Sequence, residues 1–326
     1  MKPLTTSLFS IKTSEDFVDA TLSVFHWQAA NNEVYSAYVS GLAIDTGNVS
    51  ELSQIPFLPI EFFKSHKILS GNRAFKSHIF TSSGTTGSIQ SMHHVTDLSV
   101  YEESYLRAFK LFYGDIEEYT VFALLPSYLE REGSSLIYMA SDLIKRSKNP
   151  ESGFYLNDYA ELIKKLKQSR DRKTLLIGVT YALLDLIEVE KLQLNNCIVM
   201  ETGGMKGKRK EMVREELHAL LCAGFGVKEI HSEYGMTELL SQAYSKGNGV
   251  FNCPPWMKIM IRDTNDPFTF LPESRTGGIN VIDLANINSC SFIATQDLGK
   301  IHANGSFEVL GRFDNSDIRG CNLMVE

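Results

Sequence analysis

A loop rich in glycine and hydroxyl side chains, residues 82–88, follows a short apolar run at residues 79–81. Glycine allows positive φ and a close backbone approach, so successive amides can point into a concavity while serine and threonine hydroxyls add donors. These features suit a phosphate chain. The candidate phosphate ligands are Ser83, Gly84, Thr85, Thr86 and Gly87. The loop has neither the Gly-Lys-Ser/Thr of a Walker A site nor the Gly-x-Gly-x-x-Gly of dinucleotide folds, and an ordinary turn is the alternative interpretation.

A second candidate group, Tyr234–Glu238, combines an aromatic ring, a glycine, a hydroxyl and a carboxylate at the end of a predicted strand. Open α/β sheets bind their ligands at the carboxyl ends of their strands. The ring of Tyr234 can stack on a base and the hydroxyl of Thr237 can donate to a phosphate. Glu238 can hold Mg²⁺, which prefers oxygen ligands. The alternative is a plain strand end and a turn with an exposed acid.

A glycine-rich turn at residues 201–210 follows another predicted strand and carries a cluster of lysine and arginine side chains. Cations are unfavourable at the amino terminus of the helix predicted next, because the helix dipole is positive there. This favours a phosphate-facing role for at least one of them, with Lys206 as the candidate, and a solvated helix start is the alternative. The predicted helix carries on its apolar side Met212, Val213, Leu217, Leu220 and Leu221.

Apolar strands alternate with amphipathic helices over about residues 1–249, and these elements must position the candidate groups. Strands are predicted at residues 79–81, 88–95, 120–125, 175–179 and 197–200. Helices are predicted at residues 16–27, from 96 or 97, from 134 or 135, from 157, and at 181–189. This alternation predicts an α/β fold with a predominantly parallel sheet that is covered by helices on both faces.

The pattern changes at about residue 250, where short strands separated by turns replace the helices. These strands are predicted at residues 257–261, 278–283, 291–294 and 306–310. We therefore expect one domain over residues 1–326, with an α/β part to about 249, a β-rich subdomain over about 250–312, and a carboxyl-terminal tail over 313–326.

Composition and charge narrow the classes of partner. The chain has 326 residues and a formal net charge of −7, which argues against a general binder of nucleic acids or of anionic membranes. No apolar run has the length of a bilayer span or a signal peptide, so a cytoplasmic protein is expected. Its 5 cysteines are widely spaced with no Cys-x-x-Cys pair, so they indicate neither a disulfide framework nor a zinc site.

The segments above resemble, in order, those of the acyl-adenylate-forming (ANL) superfamily, which includes acyl-CoA synthetases, luciferases and peptide-synthetase adenylation domains. Tyr234–Glu238 matches that family's Tyr-Gly-x-Thr-Glu segment at every constrained position. The resemblance implies ATP and Mg²⁺ as cofactors, with the Tyr234 ring and Gly235 at adenine, Thr237 at the phosphates and Glu238 on magnesium. It also implies that Gly203 and Gly204 lie near adenine.

A further likeness covers Thr295–Gly299 and Gly311–Asp314, which are similar to the family's Thr-Gly-Asp and Gly-Arg segments. The resemblance implies that Asp297 holds the ribose hydroxyls, since one carboxylate can accept from both, and that Arg312 lies near the ribose. Gln296 replaces the family's usual glycine. Taken alone, Asp297 is more typical of a turn.

The chain most resembles the acyl-protein synthetase (LuxE-like) branch, the fatty-acid-activating component of a bacterial reductase complex. The likeness is carried by residues 203–209, 233–242 and 317–321. It implies activation of a fatty or other carboxylic acid as acyl-AMP and transfer of the acyl group to Cys321, for handover to a partner such as an acyl reductase. A mobile tail could return Cys321 to the site, because nine extended residues after Arg312 span up to roughly 30 Å.

Two alternatives remain open. The family's second, lysine-bearing lid domain is not expected within this chain, and the usual lysine after the phosphate loop is replaced by Ser88-Ile89-Gln90. The protein could load the pantetheine thiol of CoA or of a carrier protein, or it could be a nucleotide-binding pseudoenzyme or scaffold. The candidate residues for the acid pocket are Phe122, Tyr128 and Met139.

Overall fold

The computed structural model describes residues 8–71, 76–82, 89–125, 133–156, 158–169, 172–203 and 212–313. The strands of these residues are β1 (Leu58–Pro59), β2 (His78–Thr81), β3 (Met92–Val95), β4 (Tyr119–Leu124), β5 (Gly153–Phe154), β6 (Lys173–Val179), β7 (Cys197–Thr202), β8 (His231–Tyr234), β9 (Ala243–Ser245), β10 (Val250–Asn252), β11 (Met257–Arg262), β12 (Gly277–Asp283), β13 (Phe292–Ile301) and β14 (Phe307–Arg312). The helices are α1 (Ser14–Asn31), α2 (Glu33–Gly41), α3 (Phe62–Ser65), α4 (Leu98–Tyr113), α5 (Ser135–Arg146), α6 (Tyr159–Gln168), α7 (Thr180–Val189) and α8 (Arg214–Phe225). Short 3₁₀ turns occur at Thr46–Asn48, Leu52–Gln54, Ile116–Glu118 and Leu284–Asn286.

A 12-stranded sheet organises the described residues, in the order β11-β12-β13-β14-β10-β9-β8-β7-β6-β4-β5 with β1 added in parallel to β13. From β5 through β4, β6 and β7 to β8 the neighbouring strands are parallel, whereas from β8 onward each neighbouring pair on this path is antiparallel. β2 and β3 form a separate antiparallel hairpin. The predicted α/β fold is confirmed, and the strands after residue 250 extend the sheet that the parallel strands begin.

The parallel strands form because their sequences are apolar on both faces. Every residue of β4 is buried, and β6 is buried from Thr174 onward. Side-chain caps define where the adjoining helices begin. Asp97 accepts from the amide of Ser99 at the start of α4, and Ser134 accepts from the amide of Ile137 at the start of α5. Periodicity and capping residues therefore account for this half of the fold.

Three predictions about element boundaries were wrong. Helix α8 begins at Arg214, so Met212 and Val213 precede it, and Val213 and Leu220 are exposed rather than on an apolar side. β3 is shorter than the predicted strand over 88–95. β13 extends well past the predicted end at 294, so Asp297 lies inside a strand and pairs with Arg312 of β14. Position 157, the predicted start of a helix, lies outside the described residues, and α6 begins at Tyr159 with Asp158 as its cap.

The amino-terminal helices α1 and α2 are hydrogen-bonded to a segment that is distant in sequence, residues 284–291. The buried Gln28 carboxamide donates to the carbonyl oxygen of Ile287 (2.9 Å) and accepts from the amide of Ser291 (2.9 Å). Asn32 donates to the carbonyl oxygen of Ser289 at 2.8 Å. Because buried polar groups need partners, these bonds fix both helices against the antiparallel half of the sheet.

Candidate active site

A cavity of about 580 Å³ opens at the carboxyl ends of the parallel strands and extends across to β13 and β14. Its size lies in the range of small-molecule sites. It is lined by the ends of β7 and β8, by the start of α5, and by residues of the β2–β3 hairpin. The predicted site residues that line it are Gly203, Tyr234, Gly235, Thr237, Glu238, Asp297 and Arg312.

Tyr234 and Asp297 meet at one end of the cavity. The Tyr234 hydroxyl donates to Asp297 Oδ2 at 2.8 Å, and its ring packs edge-on against Phe307 with centroids 5.5 Å apart. Burial raises the pKa of Tyr234, and the Asp297 charge raises it further. The tyrosine is therefore a permanent hydrogen-bond donor that orients the carboxylate.

Asp297 holds its second oxygen toward Arg312. Oδ1 lies 3.2 Å from the Arg312 Nε, and the arginine side chain is about half exposed. Burial raises the pKa of Asp297, while the Arg312 charge and the Tyr234 hydrogen bond oppose that shift. Each carboxylate oxygen can accept more than one hydrogen bond, so Asp297 can accept further donors from a bound molecule.

Glu238 lines the cavity and is 5 % exposed. Burial raises its pKa, whereas a hydrogen bond from the Ser91 side chain and the charges of Arg312 and Lys64 favour the carboxylate. No ion pair joins Glu238 to a cation within the ranges given above. A buried carboxylate of this kind can be satisfied by a bound cation.

The donor set fits Mg²⁺ bound together with a phosphate-bearing molecule. Among the described residues no three His, Cys, Asp or Glu side chains come together as a metal cage. Mg²⁺ commonly takes only one or two protein carboxylates and completes its shell with water and substrate phosphate oxygens. Glu238 supplies one such carboxylate.

His93 and Asn286 fix the backbone of the Thr237–Glu238 segment from behind. His93 Nδ1 donates to the carbonyl oxygen of Thr237 at 2.8 Å, and its Nε2 lies 2.9 Å from Asn286 Oδ1. Asn286 Nδ2 donates to the carbonyl oxygen of Glu238 at 2.7 Å. Burial lowers the pKa of His93 to about 4, although its two hydrogen bonds favour the charged ring. Neither residue was predicted from the sequence.

Asp283 anchors the turn that follows. Its carboxylate accepts from the amides of Leu240 (2.7 Å) and Ser241 (3.0 Å) and from the Ser241 hydroxyl (2.5 Å). Burial raises its pKa to about 6, and these hydrogen bonds oppose the shift. Asp283 thereby holds the backbone directly after Glu238, and it too was missed. An acid at the end of the buried and largely apolar strand β12 was the signal that could have identified it.

At the end of β7, Glu201 and Gly203 shape the cavity wall. Glu201 accepts from the hydroxyls of Thr180 (2.9 Å) and Ser232 (2.8 Å), and Arg214 lies 3.3 Å away. Burial disfavours its charged form, but neighbouring donors and the Arg214 charge together lower its pKa. Gly203 adopts φ 72°, where a side chain would be strained, and its carbonyl accepts from Thr180 at 3.0 Å.

Several predicted residues lie outside the described residues, namely Ser83, Gly84, Thr85, Thr86, Gly87, Gly204, Lys206 and Cys321. The segments that flank the glycine loop are described. Ser82 donates its amide to the Ser91 carbonyl at 3.1 Å, and the Ser91 amide donates to the Ser82 hydroxyl at 2.9 Å. Both serines line the cavity. The described residues on either side of the loop, Ser82 and Ile89, therefore line the same cavity as Glu238.

The predicted acid pocket has a mixed outcome. Met139 lines the cavity. Phe122 is fully buried within β4 and is not among the cavity-lining residues, so this prediction was wrong because the strand interior packs against helices. Tyr128 lies outside the described residues.

No protein-family model matches the chain, and no curated protein sequence is detectably similar to it. Solved structures do match. ATP-bound MatB from Rhodopseudomonas palustris superposes with a TM-score of 0.54 at 17% identity, covering 72% of this chain and 47% of MatB. An ATP-bound chimera of that enzyme, RpMatB-BxBclM B3, gives a TM-score of 0.55 at 17% identity over the same shares. This chain thus spans about half the length of these first matches.

A longer match comes from 2-hydroxyisobutyryl-CoA ligase in complex with R3-HIB-AMP in its postadenylation state. It superposes with a TM-score of 0.69 at 10% identity, covering 95% of this chain and 70% of the ligase. Identities this low establish the fold and nothing finer. Within the described ranges every helix is too short or insufficiently apolar to cross a bilayer. The α/β architecture predicted from the sequence is therefore the one found in these solved structures.

Proposed function

We propose that the protein is an ATP-dependent ligase that converts a carboxylic acid into its acyl-adenylate and passes the acyl group to a thiol. The observation that carries this proposal is a cavity that has the Tyr234–Asp297–Arg312 cluster at one end and, beside Ser91, the buried Glu238 carboxylate, which has no ion-pair partner among the described residues. The first group suits a ribose and the second suits a magnesium-bound phosphate. The fold shared with ATP-bound ligases supports the same proposal.

In the first step, a carboxylate oxygen of the acid attacks the α-phosphorus of ATP and the bond from that phosphorus to pyrophosphate breaks. Asp297 accepts hydrogen bonds from the ribose hydroxyls, and the Thr237 hydroxyl donates to the α-phosphate. Bound Mg²⁺, held by Glu238, would offset the negative charge of the phosphates. Further contacts are proposed from residues 83–87 to the phosphates, from Gly204 and Gly235 to adenine, and from Lys206 to the reacting phosphate.

In the second step, a thiolate attacks the acyl carbonyl carbon, the carbon–oxygen bond to AMP breaks, and a thioester and AMP result. We propose Cys321 as this thiol. Burial raises the pKa of Cys197, Cys253 and Cys290 to about 12, so these three are poorly suited to form thiolates. A partner such as an acyl reductase would then take the acyl group.

Intact-mass measurement after incubation with Mg·ATP and a carboxylic acid tests the acceptor. Cys321→Ala should retain acid-dependent exchange of pyrophosphate into ATP and lose the acyl adduct. Cys222→Ala, which removes a partly exposed thiol on α8, is the matched control and should keep both. An adduct that persists at full level in Cys321→Ala contradicts self-acylation.

A second candidate acceptor is the pantetheine thiol of CoA or of a carrier protein. One structural neighbour favours CoA as the acceptor, since it is a CoA ligase in complex with an acyl-AMP. Adding CoA to Cys321→Ala separates the two, because this variant forms acyl-CoA only if CoA takes the acyl group directly from the adenylate. Nucleotide binding with no pyrophosphate release for any acid would contradict adenylate formation itself and would indicate a pseudoenzyme.

A further inference from the structure

The cations that line the cavity within the described residues are Lys64, Arg214 and Arg312. Arg214 lies 3.3 Å from Glu201, and Arg312 lies 3.2 Å from Asp297, so each already faces a carboxylate. Lys64 has no such partner within 4.0 Å in the described part of the chain. We propose that the Lys64 ammonium binds the β- and γ-phosphates of ATP and stays with them as pyrophosphate leaves. This inference rests on the proposed function and assigns it a further residue.

Phe63 fixes the backbone of Lys64 beside the Thr237–Glu238 segment. The Phe63 ring is fully buried in the short helix α3 and packs edge-on against the His93 ring, with the ring centroids 5.6 Å apart. His93 in turn donates to the carbonyl oxygen of Thr237 at 2.8 Å. Contacts therefore run without a gap from the residue next to Lys64 to the segment that carries the proposed magnesium ligand.

Glu61 and Ile60 fix the start of α3 to the antiparallel half of the sheet. The Glu61 carboxylate accepts from Nε2 of Gln296 in β13, and the amide of Ile60 donates to the carbonyl oxygen of Ala294 at 3.0 Å. Gln296 and Lys64 both line the cavity. Lys64 itself is exposed, so a bound molecule can reach its ammonium. A flexible side chain therefore projects from a fixed backbone at the edge of the cavity.

The charge of Lys64 acts on Glu238 and so indicates which end of the cavity it serves. Burial raises the pKa of Glu238, and the Lys64 charge is among the influences that oppose this shift. Such an influence weakens with distance, so the ammonium lies on the Glu238 side of the cavity. The apolar side chains that suit the carbon skeleton of the acid, including those of Tyr101, Leu136 and Met139, belong to α4 and α5. The position of Lys64 therefore favours the phosphates over the carboxylate of the acid.

A lysine at this place acts on the leaving group. As the carboxylate oxygen of the acid bonds to the α-phosphorus, the bond from that phosphorus to the bridging oxygen breaks, and its electron pair stays on pyrophosphate. Mg²⁺ offsets only part of the negative charge of the triphosphate, and a nearby ammonium offsets more. Lysine carries a compact charge with three donors on a flexible stem, so it can follow pyrophosphate as it separates from the adenylate. No proton transfer to or from Lys64 is required.

Calorimetric titration of the full chain with Mg·ATP and with AMP tests the assignment. Lys64→Met should raise the Kd for Mg·ATP about tenfold and that for AMP by less than about twofold, because AMP lacks the β- and γ-phosphates that the ammonium attracts. Lys64→Arg keeps the charge and should recover most of the loss. Lys67→Met, at an exposed position in the same segment that is not among the cavity-lining residues, is the control and should leave both values unchanged. An unchanged Kd for Mg·ATP in Lys64→Met, or equal losses for both nucleotides, overturns the inference.

Acid-dependent exchange of pyrophosphate into ATP tests the role of Lys64 in the reaction. A panel of saturated acids from acetate to palmitate is screened with the unmodified protein, and the acid with the highest rate is used for the variants. In Lys64→Met the KM for pyrophosphate should rise about tenfold while the KM for the acid stays unchanged. A rise in the KM for the acid with an unchanged KM for pyrophosphate assigns Lys64 to the carboxylate of the acid and overturns the inference. Unmodified protein that binds no nucleotide, or that exchanges pyrophosphate with no acid of the panel, overturns the proposed function instead.

Discussion

The two halves of the sheet use their strands in different ways. In the parallel half, the centres of β4 and β6 are apolar and buried, and cavity-lining residues such as Gly203 and Tyr234 stand at or just beyond strand ends. In the antiparallel half, Asp297 lies in the middle of β13 and is paired with Arg312 of β14. In the parallel half, the residues that stabilise the core and the residues that line the cavity therefore lie at separate positions. In the antiparallel half, both kinds of residue lie within the same strands.

The largest predicted effect is a loss of stability in the parallel half, caused by Phe122→Ala in the centre of β4. Phe122 is fully buried, so its loss should reduce the free energy of unfolding by about 3–5 kcal/mol, measured by urea denaturation. ATP affinity of the folded variant should stay unchanged, because Phe122 does not line the cavity. Leu310→Ala, at an exposed position of β14, is the control and should change stability by less than about 0.5 kcal/mol. A large loss of affinity in folded Phe122→Ala would show that the strand interior does contribute to binding.

The second-largest predicted effect is a loss of ATP affinity in the antiparallel half of the sheet. Asp297→Asn keeps the side-chain shape but removes the charge that faces Arg312 and the proposed ribose. Hydrogen bonds to charged groups contribute about 1.5–3 kcal/mol, so the Kd for ATP measured by calorimetry should rise roughly 10- to 100-fold. Glu308→Gln is a matched control on β14, because Glu308 pairs with Lys300 and His302 and is not among the cavity-lining residues. Equal losses in both variants would contradict a specific role for Asp297.

The smallest effect concerns His93, which joins the β2–β3 hairpin to the turn between the halves. Its folded pKa of about 4 lies below the ordinary value of 6.5, so the unfolded chain binds more protons between these values. Its contribution to stability is fully present above pH 6.5 and is lost as the pH falls toward 4, with a slope of at most about 1.4 kcal/mol per pH unit.

Urea denaturation across that pH range should show a shallower dependence for His93→Gln than for the unmodified protein. Glu233 and Asp283 titrate with the opposite sign, because burial raises the pKa of each, but they are present in both proteins and cancel in the difference. His302→Gln, a partly exposed position away from the cavity, is the control. Identical pH profiles for His93→Gln and the unmodified protein would argue that His93 titrates normally.

The same division of the sheet explains how much the sequence could predict. Features whose surroundings are local were identified, such as the two helix starts, predicted to within one residue of the caps Asp97 and Ser134, and the segment Tyr234–Glu238 at a strand end. The extent of β13 was missed because Thr295–Gly299 is locally typical of a turn. Pairing with β12 and β14 on both sides overrides that local preference.

The supporting residues of the site were missed for a different reason. His93 and Asn286 are separated by 193 positions, and His93 and Thr237 by 144. Their function depends on contacts that no periodicity in a single sequence encodes. Two adjacent histidines in a short strand beside the glycine loop were the one local signal, and a buried histidine with no chemical function is the commoner explanation of such a pattern.

The hydrogen bonds that hold α1 and α2 against residues 284–291 have a consequence for folding during synthesis. Gln28 and Ser291 are 263 positions apart, and Glu61 bonds Gln296 across 235 positions. Domains generally fold as units, with amino-terminal parts emerging first during synthesis. Here residues 28–61 leave the ribosome long before their partners at residues 287–296 are made. Their apolar faces stay uncovered during that interval, so we expect the nascent chain to need protection from aggregation until residues 284–296 have been synthesised.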